Sequence, residues 1–273
     1  MNIFARPSYV GNRFPRHTKD STLLRVSSRI RGEEIAEFLG CQLNVPGEGV
    51  NVYVKPAGLN RVKDGDWVDI LDGENLIPFL KERPKVKVIA ASQCSYDILK
   101  SELKNEIVLI PQQHINWDRE KRIIDGIKVV GYTGSPSPYA FKHYKEIGQE
   151  INKLGLEFKT CFDFKTKQDS INFYKSIDIM VIGAWGLGDP SPFKIPTKII
   201  NAASFGVPTV AFPLRAYGEI EGYYLRANNM AEMLDQVNKI RNIDLYSDMI
   251  AKVIGKAEQY HISRIANLYN QLT

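Results

Sequence analysis

Residues 194–210 read Lys194-Ile195-Pro196-Thr197-Lys198-Ile199-Ile200-Asn201-Ala202-Ala203-Ser204-Phe205-Gly206-Val207-Pro208-Thr209-Val210, and these residue types suit the binding of an anion. Proline is pre-shaped for a first helical turn and glycine for the position past the last, so the pattern predicts a loop, a helix opened by Pro196 and stopped at Gly206, and a strand over 209–212. First-turn amides lack partners inside a helix, and the helix dipole is positive at that end. Lys194, Thr197 and Lys198 add two cations and a hydroxyl there. Cations at a helix N-terminus oppose its dipole unless an anion lies between them, and a phosphate is such an anion. The same spacing fits an ordinary helix with solvated lysines.

A second candidate is Gly131-Tyr132-Thr133-Gly134-Ser135-Pro136, directly after a predicted strand. Open doubly wound sheets bind ligands at the carboxyl ends of their strands. The glycines allow close backbone approach, and Thr133 and Ser135 offer hydroxyls and amides to phosphate oxygens. His114, beside the expected domain crossing, is read either as a cleft residue bonding a sugar hydroxyl or phosphate, or as a structural histidine. Asp72, at a strand end, is either an acceptor ligand or a helix cap. In the loop 183–192, Trp185 is read as a stacking surface for a sugar or base, or as a wedge against the core. Arg13, Arg16, Lys19, Arg25, Arg29 and Arg31 crowd one N-terminal stretch with Asp20 as its only acid. Such a cluster suits an anionic partner or a solvated helix face paired with Glu33, Glu34 and Glu37. The chain has no His-Glu-x-x-His, no Gly-x-Ser-x-Gly and no Gly-x-x-x-x-Gly-Lys-Ser/Thr, which disfavours zinc proteolysis, hydrolytic triads and P-loop phosphoryl transfer.

The elements that must position these residues alternate. Strands are predicted at 2–5, 50–54, 67–71, 86–91 and 106–110, with helices over 22–39, 74–82 and 96–103. A charged connector over 117–122 interrupts the pattern. A second unit follows, with strands at 127–131, 157–161 and 178–182 and helices over 139–154 and 170–176. Strands alternating with helices imply parallel, doubly wound sheets. The chain ends in a helix whose apolar stripe is Tyr260, Ile265, Leu268, Tyr269 and Leu272.

At 273 residues two domains of moderate size fit, and 44% hydrophobic with 25% charged residues suits a globular core without metals or disulfides. Cys41, Cys94 and Cys161 form no Cys-x-x-Cys pair, and no leader-like or membrane-spanning apolar run occurs, so a cytoplasmic protein is expected. The net charge of +5 favours anionic partners.

The run from Tyr174 to Val210 resembles the donor-binding half of nucleotide-sugar glycosyltransferases of the two-Rossmann-domain, GT-B type. It shares their order of strand end, loop, helix with an alanine-rich turn, Gly-x-Pro and strand. Gly131 to Pro136 resembles the Gly-Ser-Pro turn of part of that class, with Tyr132 where an arginine is usual. In the first half, Ser27-Ser28-Arg29-Ile30-Arg31-Gly32 resembles a Ser-Arg-x-Arg element, Val68-Asp69-Ile70-Leu71-Asp72 and Ala90-Ala91-Ser92 resemble strand ends, and Ile110-Pro111-Gln112-Gln113-His114-Ile115-Asn116 resembles the His-and-Asn crossing. Many retaining members of the family 4, or group 1, kind carry glutamate where Asn201 stands and a second acid where Phe193 stands.

The resemblance implies an α/β fold of two Rossmann-like domains with a cleft between them. An acceptor-side domain is expected over 1–116, a donor-binding domain over 117–254, and a helix over 255–273 returning to the first. It implies transfer of a sugar from a nucleotide-diphosphate sugar to an acceptor that neither motif nor resemblance identifies; the basic N-terminal stretch suits an anionic one, such as a phosphorylated glycan, a lipid or a nucleic acid. The alternatives are a non-catalytic nucleotide-sugar or glycan-binding module and a nucleotide-sugar epimerase. The expected donor residues are Thr133, Gly134, Ser135, Lys194, Thr197, Lys198 and Asn201. Asn12, Arg13, Arg29 and Asp72 are expected to meet the acceptor, with His114 and Lys198 as catalytic groups. No metal and no cofactor besides the donor substrate is expected.

Overall fold

Short apolar runs, buried on both faces in the inner strands, build two parallel sheets, as crossover helices on either side require. In this computed structural model the described residues are 1–5, 30–56, 61–134, 138–164, 166–183, 185 and 191–273. The first sheet contains β1 (Asn2–Ala5), β2 (Gln42–Leu43), β3 (Asn51–Val54), β4 (Trp67–Asp69), β5 (Lys87–Ala90) and β6 (Ile107–Leu109). Their order is β2-β1-β3-β4-β5-β6, with every pairing parallel. The second contains β7 (Val129–Thr133), β8 (Glu157–Cys161), β9 (Ile179–Ile182), β10 (Thr209–Ala211) and β11 (Leu225–Arg226), in the order β11-β10-β9-β7-β8, again all parallel. The chain is thus an α/β protein of two Rossmann-like sheets with a cleft between them, the GT-B arrangement.

Around the first sheet lie α1 (Ile35–Leu39), α2 (Ile77–Glu82) and α3 (Gln93–Glu102). A π-helical turn, Ile30–Glu34, leads into α1, and residues 22–29 of the helix expected there lie outside the described residues. Gly32 is needed in that turn for contact: a β-carbon on it would overlap the Ala5 side chain on β1. The second sheet carries α4 (Pro138–Lys153), α5 (Lys167–Lys175), α6 (Thr197–Ser204), α7 (Met230–Lys239) and α8 (Ile243–Ala257). Helices α3 and α5 begin three residues before their expected starts. Ser92 with Ser95, and Thr166 with Asp169, form reciprocal capping boxes that recruit the extra turn. Asn229 and Asn242 cap α7 and α8 in the same side-chain-to-amide manner.

The last helix, α9 (Ile262–Tyr269), buries Ile262, Ile265, Ala266 and Tyr269 among β1, β3 and α1 residues of the first half. Within the charged connector, Arg122 is buried. Its guanidinium meets the Asp178 carboxylate and the Tyr246 hydroxyl, while Asp178 accepts from the amides of Lys128 and Val129 at 2.8 Å each. The charge in that segment is therefore partly structural.

Candidate donor cleft

Helix α6 starts one residue after the proline that was expected to open it. Pro196 is its N-cap, no side chain caps the first amides, and Gly206 closes the far end at φ +69°. Its N-terminus opens into a cavity of about 280 Å³ between the two halves. Lys194, Thr197, Lys198 and Asn201 line the cavity, together with Thr133 and Gly134 from the end of β7. The first half contributes Asp72 and Gln112. Every described donor residue expected from sequence therefore meets at one place, and Asp72 joins them. Ser135, Asn12, Arg13 and Arg29 lie outside the described residues.

The polar groups are not all spare. The Thr133 hydroxyl donates to the Cys161 carbonyl at 2.9 Å and the Gly134 amide to the same oxygen at 3.3 Å, so both anchor the turn to β8. Both residues still face the cavity. Gly134 also provides room: a β-carbon there would overlap the Tyr132 hydroxyl and lie 3.0 Å from Lys198 Nζ. Lys198 Nζ donates to that hydroxyl at 3.0 Å and sits 4.7 Å from the Tyr132 ring centre. Tyr132 in turn stacks on Tyr144. The Asp72 carboxylate accepts from Lys55 Nζ at 2.6 Å, with both side chains substantially exposed.

One face of α6 is bound to the segment crossing between the halves. Residues 197, 201 and 204 fall on the same side of a helix. Gln112 Nε2 donates to Thr197 Oγ1 at 3.1 Å, the Ile115 amide to Asn201 Oδ1 at 3.2 Å, and Asn116 Nδ2 to the Ser204 carbonyl at 2.8 Å. Asn201 also hydrogen-bonds the phenol of Tyr174, whose ionisation burial opposes. The asparagine thus holds the crossing segment, and its Oδ1 is engaged. Gln112 was not singled out by sequence: it lies inside the crossing segment 110–116, whose resemblance rests on its His and Asn, and nothing there marks the glutamine as a site residue.

His114 is not part of this lining. It is buried in a separate cavity of about 370 Å³ that also meets Arg119 and Ile254. Its amide donates to the Tyr260 carbonyl at 3.0 Å, and its Nδ1 accepts from the Asn116 amide at 3.2 Å. Burial and then the neighbouring His261 push its imidazole down to about 3, so it is neutral. Arg31 also departs from its expected place in an anion-binding cluster. It is fully buried, with Nε donating to Asp69 at 2.8 Å and Nη1 to the Pro111 carbonyl at 2.5 Å; the Tyr269 hydroxyl donates to the same carboxylate at 3.1 Å. That pairing joins the end of β4, the crossing segment and α9. Trp185 packs against His143 with ring centres 5.0 Å apart, at the edge of the second core, outside the cavity.

The loop before α6 reaches into the first half. Phe193 is buried among Val68, Leu80 and Val88, and Ile195 packs beside Ile110 and Ile265. Ser191 hydrogen-bonds the Glu74 carboxylate. Across the cleft, the Glu219 carboxylate accepts from the Gln93 amide at the start of α3, at 2.9 Å. Among the described residues no group of three or more His, Cys, Asp or Glu side chains is placed to hold a metal.

No protein-family model matches the sequence, and no curated protein matches it. Solved structures do match, and they share this fold. TarM of S. aureus, as a point mutant in complex with fondaparinux, alpha-GlcNAc-glycerol and UDP, aligns with a TM-score of 0.58 at 15% identity, over 81% of this chain and 55% of TarM. The chain thus spans about half the length of TarM. AviGT4, a glycosyltransferase of avilamycin A biosynthesis, aligns with a TM-score of 0.55 at 10% identity, over 99% of this chain and 96% of its own. An alpha-glucosyltransferase in complex with UDP and a 13-mer DNA aligns with a TM-score of 0.51 at 10% identity, over 98% and 97%. The fold is that of the GT-B glycosyltransferases. No described helix is long and apolar enough to cross a membrane.

Proposed function

We propose that this protein is a glycosyltransferase that takes a nucleoside-diphosphate sugar into the cleft and passes its sugar to an acceptor approaching from the first half. The observation that carries this reading is the convergence of an uncapped helix N-terminus with Lys194 and Lys198, neither ion-paired among the described residues, in a cavity between two Rossmann-like sheets. Such a site has an excess of positive potential and suits a diphosphate. As the bond between sugar and diphosphate breaks, charge grows on the leaving oxygen, where fixed amides and ammonium groups stabilise it without rearranging. The contacts between the halves would exclude water during that step. UDP, bound in the TarM and alpha-glucosyltransferase structures, is the first nucleotide to test. Asn12, Arg13, Arg29 and Asp72 remain proposed acceptor contacts of the first half of the sequence.

The experiment is calorimetric titration of UDP, ADP and GDP, followed by UDP-sugar hydrolysis and transfer assays. Lys194→Ala and Lys198→Ala should each weaken the best diphosphate by about 1–3 kcal/mol, the range of a lost charge-assisted hydrogen bond, with little change in melting temperature. Unchanged binding in both variants would move the phosphate site elsewhere. A second reading, a non-catalytic nucleotide-sugar binder, is favoured by Phe193 and Asn201. The two positions where carboxylates are usual in the resembled enzymes here serve contact between the halves. Saturable UDP-sugar binding with neither hydrolysis nor transfer would select it. An epimerase needs an acid and a base facing the sugar, and the described lining offers the single carboxylate of Asp72.

A further inference from the structure

We propose that Gln112 reads a sugar hydroxyl of the ligand held at the α6 N-terminus, its Oε1 accepting the hydroxyl proton; this rests on the nucleotide-diphosphate reading above. Gln112 is only 3% exposed yet belongs to the cavity lining. Its Nε2 donates to Thr197 Oγ1 at 3.1 Å, which fixes the carboxamide against the first residue of α6. Its Oε1 is buried and has no hydrogen-bond partner among the described residues. A buried acceptor without a donor is costly, and such groups in folded proteins call for a partner.

The chemistry of that partner follows from the surroundings. A carbonyl oxygen repels phosphate oxygens, so the diphosphate itself is not what it meets; it needs a donor. The nearby acceptors, unlike Oε1, already have a donor each. Asn201 Oδ1 is engaged by the Ile115 amide, and Asp72 by Lys55. A ligand anchored by its diphosphate at Thr197 and Lys198 carries a sugar on each side of the phosphates, each bearing hydroxyls. Gln112, bonded to that same threonine, lies one residue from the anchor. The acceptor oxygen is thus supplied by the crossing segment from the first half of the molecule.

The test compares the wild type with Gln112→Met and Gln112→Glu by calorimetric titration with UDP, 2′-deoxy-UDP, 3′-deoxy-UDP and UDP-glucose. If the ribose is read, the wild type prefers UDP to one deoxy analogue by roughly tenfold, about the worth of one buried hydrogen bond, and Gln112→Met erases that preference. If the transferred sugar is read, Gln112→Met instead erases the gain of UDP-glucose over UDP. Gln112→Glu keeps an acceptor oxygen, so it should keep the discrimination while binding every diphosphate more weakly. Should Gln112→Met fail to fold, loss of discrimination in a folded Gln112→Glu would overturn the assignment. Equal weakening of all four probes by Gln112→Met, or no weakening, would also overturn it while leaving the nucleotide site intact. If the wild type binds none of the four, nor ADP or GDP, both this assignment and the nucleotide reading fail.

Discussion

Lys198 ends on a phenol oxygen and, among the described residues, pairs with no carboxylate. A lysine held against Tyr132 has its position restricted by hydrogen bond and ring. With Asn201 and Phe193 uncharged, Asp72, paired with Lys55, is the one carboxylate in the described lining. His114 shows the opposite economy: a histidine sealed away and kept neutral beside His261. Its folded value, about 3, lies below the ordinary 6.5, so the unfolded chain binds the extra proton between those values. The stability it contributes is present above about 6.5 and is lost as pH falls towards 3. His114→Asn keeps an acceptor for the Asn116 amide and removes the titration. Its unfolding free energy, measured by urea denaturation, should therefore fall less steeply than that of the parent below pH 6, by up to about 1.4 kcal/mol per pH unit.

At the scale of elements, most strands and the α6 unit are legible in sequence because their signals are local. Proline before the helix, glycine after it and a β-branched run following are read from neighbours along the chain. What depends on neighbours across space is not legible. Arg31 looks like any cation in a basic stretch until β4 brings Asp69 to it. His114, beside a strand end, faces α9 and not the cleft, and only the packing of that helix decides which. Gln112 lies within the crossing segment, where the His and Asn and not the glutamine draw the eye. Helices α7 and α8 do carry capping asparagines, which a reading led by the anion-binding motif passes over. Gly32 reads as a weak point in a helix, but its purpose is the close approach of that turn to β1. Gly32→Ala would improve helix propensity, yet it should destabilise by about 1–3 kcal/mol because the added methyl forces the turn off the strand. A midpoint in urea equal to or above that of the parent would show that the contact is slack.

Over the whole molecule, the two halves touch through several unlike contacts. Phe193 is buried in the first core, Glu219 sits on the start of α3, and Glu34 lies 3.8 Å from Lys167, whose ammonium covers the Trp117 ring at 3.2 Å. Burial raises Glu34 to about 7, outweighing the attraction of Lys167. Its folded value exceeds its unfolded one, so its contribution is complete below about 4.5 and is lost as pH rises through 7. Glu34→Gln should accordingly raise the melting temperature at pH 8 and leave it nearly unchanged at pH 4, and an equal shift at both would assign the effect to packing. The three hydrogen bonds that run along one side of α6 have a mechanical consequence. They make that helix a natural axle: the crossing segment is fastened along its length, so a rotation of one half against the other would turn about it. Points on an axle travel least. A diphosphate seated at its tip would stay in register while the outer walls swing, so the cleft could admit an acceptor and release a product without letting go of the leaving group.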